Sequence, residues 1–125
     1  MTAVDPYFRA AGRVLLSLLF FWGGFGKITH YAGAQGYMEK FGVPGELLPL
    51  VILTELGGGL ALLLGWKTRW VALALAGFCL LSALIFHNDF GDKTQFIQLL
   101  KNLGLAGGFL VLAAAGPGAL SLDER

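Results

Sequence analysis

The chain has 125 residues, 56% of them hydrophobic and 14% charged, with ten Phe, a mean hydropathy of +0.70 and a formal net charge of +1. Soluble domains carry about 25% charged residues, and half that share cannot coat a globule; the near-neutral balance also excludes a basic surface for nucleic acid. Cys79 is the one cysteine, which excludes an intrachain disulfide, a paired-thiol redox motif and a cysteine-rich metal site.

By length the chain is one domain, residues 1–125. Four apolar stretches cover approximately 8–29, 46–65, 70–86 and 95–115, each close to the roughly 20 residues needed to cross a ~30 Å hydrocarbon layer. The predicted fold is all-α, an integral membrane four-helix bundle.

In the first stretch Arg13, Ser17, Phe20, Gly24 and Lys27 step by three or four residues and share one helical face. Arg9 and Arg13 ahead of "AGA" at 32–34 also have the look of a signal peptide. The apolar run is long for one, and Lys27 and His30 precede the supposed cleavage site, so a retained span is expected. The connector "HYAGAQGYMEKFGVPG" holds the Gly, Pro and charged residues of a loop.

The second stretch contains a single acid, Glu55, in "LPLVILTELGGGLALLLGW". With entry near Glu46, a rise of 1.5 Å per residue buries Glu55 about 13.5 Å deep. A charge there costs about 2.5–3.5 kcal/mol, so it needs a partner inside the bundle. The tight "WKTRW" turn follows, with Trp66 and Trp70 suited to an interfacial belt. The third stretch places Cys79 mid-span among apolar residues, where it is expected to be buried and unreactive, and ends at His87.

The fourth stretch opens with Gln95, Gln98, Lys101 and Asn102, a polar face at helical spacing. Lys101 then lies about 9 Å deep and is the expected partner of Glu55. Lys27, Glu55, His87, Gln98, Lys101 and Asn102 together define a candidate ligand-binding or proton-relay cavity. The plainer readings stay open. Lys27 snorkels to the interface, the glutamines are interhelical glue, the histidines are interfacial, and Glu55–Lys101 is a structural ion pair. The glycines of "GGFG", "GGG" and the Gly104/Gly108 pair suit close helix packing.

An even number of spans puts both termini on one side. The short Lys67-Thr68-Arg69 turn and the basic N-terminal flank predict that this side is cytoplasmic, with the connectors 30–45 and 87–94 facing outward.

The strings "RVLLSLLFFWGGFGKI", "EL" before "GGGLALLLGWKTRW", "FH" and "KNLGLAGG" resemble, in that order and spacing, the DoxX family of small four-span bacterial inner-membrane proteins. The likeness runs from about residue 13 to 118, and its matching polar positions are Lys27, Glu55, His87, Lys101 and Asn102. It implies an accessory subunit of a redox or oxidative-stress system, with a quinone or similar small ligand in an outward-facing polar cavity. In such a site Lys101 or His87 donates to a quinone carbonyl, Glu55 relays a proton, and Phe20, Phe21, Trp22 and Phe86 flank the ring. Implied partners are the lipid bilayer and a redox enzyme or a second copy. The residues themselves carry no haem or metal signature, flavin fold or iron–sulfur set. Two other classes are a non-catalytic scaffold that recruits a partner and, with less support, a small-molecule carrier, for which matched broken helices are missing.

Overall fold

The computed structural model describes residues 3–86 and 91–124. It is all-α: α1 Asp5–Thr29, α2 Tyr31–Lys40, α3 Leu48–Leu64, α4 Thr68–Phe86 and α5 Lys93–Ala115, with short 3-10 turns at Gly45–Leu47 and Leu122–Glu124. Four helical segments are long and apolar enough to cross a membrane: Asp5–Thr29, Gly45–Leu64, Thr68–Phe86 and Lys93–Ala115. These coincide with the four expected spans, each end shifting by no more than a turn.

The helix ends follow from local chemistry. Pro residues stand in the first turns of α1 and α3, where a missing N–H removes no hydrogen bond. The α5 start is set by Asp92, whose side chain accepts from the Thr94 and Gln95 backbone N–H groups at 2.9 and 3.3 Å. At the end of α3, Gly65 adopts φ 71. Its N–H bonds to the Leu62 carbonyl, and that of Trp66 bonds to the Ala61 carbonyl, the paired closure that an αL glycine permits.

One difference from the sequence reading lies in 31–40, expected as loop and found as α2. Gly33 and Gly36 disguise it. Ala32, Ala34, Gln35, Met38, Glu39 and Lys40 are all good helix formers, and Met38 anchors the helix by burial. Gln35 donates to the Gly45 carbonyl at 3.2 Å, tying α2 to the entry of α3.

The chain divides into two units, residues 1–66 with 117–125, and residues 67–116. In the first, α1 packs along α3. The helices run antiparallel, because their contacts pair falling α1 numbers with rising α3 numbers. Gly24 meets Leu56, Phe20 and Ser17 meet Gly59, and Arg13 meets Leu62. In the second, α4 packs on α5. The buried residues of α4 are mostly small, including Ala72, Ala76, Cys79 and Ala83, and such residues let helices approach closely. Cys79 is 4% exposed, as expected.

Candidate functional site

Glu55 is 5% exposed. Its Oε1 forms an ion pair with Lys27 Nζ at 2.7 Å. The expected partner was Lys101, and the correction has a geometric cause. In the antiparallel register Gly23 is level with Glu55, and Lys27 lies one turn further along α1, about 6 Å away. Side chains of a helix lean toward its N-terminus. Lys27 therefore leans back along α1 toward Glu55, while Glu55 leans along α3 toward Lys27. The two tilts close the gap.

Lys101 stands exposed on α5, the helix that packs on α4. Gln98 and Asn102 lie on the same helix and are half-buried. His87 lies outside the described residues. Of the six residues chosen from the sequence, Lys27 and Glu55 are thus the two whose direct contact is recorded.

The expected aromatic flank divides. Phe20 is buried in the α1–α3 seam, with its Cβ 3.4 Å from where a Cβ on Gly59 would stand. Phe21 and Trp22 line a shallow apolar groove of about 390 Å³ with Leu18, Phe25 and Leu56. At about 100° per residue, the groove residues and the Gly23–Lys27 edge face nearly opposite sides of α1. Groove and ion pair are therefore separate features of the same helix pair.

A second polar centre lies on the same α1 face, around Arg13. Arg13 is 2% exposed. Its Nη1 donates to the carbonyls of Leu62 and Leu63 at 2.9 and 3.2 Å. Nε donates to the Pro117 carbonyl at 3.1 Å, and Nη2 to that of Leu120. Leu62 and Leu63 lie in the last turn of α3, where the regular i+4 donors run out and the dipole favours a cation. Gly118 has φ 86, and the Asp123 N–H donates to the Gly65 carbonyl at 3.0 Å. The C-terminal segment is thus folded back onto α1 and α3 around one guanidinium. The "GPG" at 116–118 was the available signal for a chain reversal.

The DoxX family model matches residues 8–88. The chain belongs to the DoxX family. Its DoxX match contains Arg13, Lys27 and Glu55 and ends before α5. The chain is 56% identical over 112 residues to the inner membrane protein YqjF of Escherichia coli K12, covering 90% of this chain and 86% of that one. It is 34% identical over 130 residues to the inner membrane protein YphA of the same organism, covering 98% and 93%. No solved structure matches. Four apolar helices and these relatives make this DoxX protein a multi-pass inner-membrane protein.

Proposed function

We propose that the chain is an inner-membrane accessory subunit of a redox or oxidative-stress system, working as a single transmembrane domain, with Lys27–Glu55 as its small-ligand or proton-relay site. One observation carries the reading: an acid 5% exposed within an apolar helix, paired at 2.7 Å with a lysine whose side chain remains 34% exposed. Packing alone does not call for such a pair, since apolar residues of similar volume usually stabilise a fold as well or better. Ionisable groups within spans are commonly functional, and the exposed share of Lys27 gives a ligand a way to reach it.

A quinone fits the polar half of this site. Its carbonyl oxygens accept hydrogen bonds, which the Lys27 ammonium supplies, and its reduction consumes protons, which Glu55 can hold and pass on. The aromatic half fits less well, because Phe21 and Trp22 face the groove on the other side of α1. The polar residues of α5, Gln98, Lys101 and Asn102, and His87 remain proposed contributors to a ligand path.

Mass spectrometry of lipids co-purified in mild detergent, with an absorption spectrum of the same sample, tests the reading. The expected result is a near-stoichiometric quinone in the wild type that is lost in Lys27→Met and Glu55→Gln. A wild type holding no small ligand leaves the scaffold reading, in which Lys27 and Glu55 serve only to fix how α1 packs on α3.

The proposal places both termini in the cytoplasm, from the Lys67–Arg69 turn. Reporter fusions at residue 125 are expected to read cytoplasmic; an active periplasmic reporter there reverses the orientation.

A further inference from the structure

We infer that Gly23 is the positioning residue of the Glu55 site: its missing side chain is the notch in α1 that lets the Glu55 carboxylate lie against the helix and reach Lys27. The functional consequence rests on the ligand or proton-relay reading above; the geometry does not. A Cβ built on Gly23 would overlap Glu55 Oε2, and it would stand 3.8 Å from Lys27 Nζ. The same glycine thus borders both members of the pair. A side chain at 23 must displace the Glu55 carboxylate from its place against α1, and with it the oxygen that Lys27 contacts at 2.7 Å.

The neighbouring glycine supplies a contrast. A Cβ on Gly24 would meet Leu56 Cδ2 and Cγ at 2.7 Å. Gly24 is also too tight for a Cβ, but the nearest obstacle there is an apolar side chain. Other glycines of the same helix, Gly12 and Gly26, have open space where a Cβ would stand. Two adjacent positions therefore separate helix packing from placement of the charge. Lys27 is the charged group that α1 presents to Glu55, and α3 carries no other titratable side chain.

The test is a pair of stability cycles on the full chain in detergent. Gly23→Ala and Gly24→Ala are each made with Glu55 present and in a Glu55→Ala background. The expected result is that Gly23→Ala lowers Tm when Glu55 is present and costs almost nothing in the Glu55→Ala background, whereas the Gly24→Ala loss is the same in both. The Lys27–Glu55 coupling, measured from Lys27→Met, Glu55→Gln and the double variant, is expected to vanish in Gly23→Ala and to persist in Gly24→Ala. If Gly23→Ala fails to fold, its refolding in the Glu55→Ala background carries the same information. An equal Gly23→Ala loss in both backgrounds, or a Lys27–Glu55 coupling that survives Gly23→Ala, overturns the inference. Neither measurement involves a quinone or partner, so a negative co-purification result leaves this test intact.

Discussion

Lys27→Met is expected to destabilise the detergent-solubilised protein by an amount toward the low end of about 3–5 kcal/mol, the usual cost of stranding one member of a buried ion pair. The substitution leaves Glu55 at 5% exposure without its cation, and the loss sits at the low end because solvent already screens a pair whose lysine is one-third exposed. Glu55→Gln is expected to cost less, about 1 kcal/mol, within the ordinary range for single substitutions. The reason is an asymmetry in burial. The Lys27 side chain is 34% exposed against 7% for Glu55, so a released lysine can turn away from α3 and snorkel. The double variant is expected to recover most of the Lys27→Met loss, giving a coupling within the ~0.5–3 kcal/mol seen for residues in contact. Lys101→Met serves as the comparison and is expected to leave Tm close to wild type, since Lys101 is exposed on α5. Simple addition of the Lys27 and Glu55 losses would show that the two do not stabilise one another.

The same residues show what the sequence could tell. An acid isolated in an apolar run announces itself, because a charge within a span is costly unless it is paired. Glu55 was therefore legible, and so were four helices of membrane-crossing length. Its partner was not. The choice between Lys27 and Lys101 depends on which helices pack together, and helices that are apolar on most faces carry little periodic signal of which face meets which neighbour. It also depends on the direction in which a long side chain leans, which shifts a charge by about a turn from its Cα. Helix α2 was hidden by Gly33 and Gly36, whose turn-like appearance outweighed the helix formers around them. The Gly23 notch was half-visible: "GGFG" read as close packing, but the atom being approached was a carboxylate oxygen.

The Arg13 arrangement was the least legible part, because its acceptors are backbone carbonyls, which any residue supplies. It is also where the largest loss is expected. Four carbonyls, from Leu62, Leu63, Pro117 and Leu120, accept from one guanidinium, and hydrogen bonds to a charged group contribute about 1.5–3 kcal/mol each. Even with partial compensation by water, Arg13→Met should exceed the ~4–5 kcal/mol that marks an exceptional substitution. That approaches the ~5–15 kcal/mol total stability of a typical domain, so the variant is expected to lose its monodisperse peak in size-exclusion chromatography. Arg13→Lys should fare little better, since a compact ammonium with three donors cannot replace a planar fork reaching the end of α3 and the C-terminal segment together. Truncation after Gly116 separates the two halves of the arrangement. It removes the Pro117 and Leu120 acceptors and the Asp123–Gly65 hydrogen bond but leaves Leu62 and Leu63 on Nη1. It is expected to lower Tm by less than Arg13→Met while still yielding folded protein. If truncation matches Arg13→Met, the C-terminal segment, rather than the α3 carbonyls, is what the arginine chiefly holds; if neither changes Tm, the buried guanidinium contributes nothing to stability.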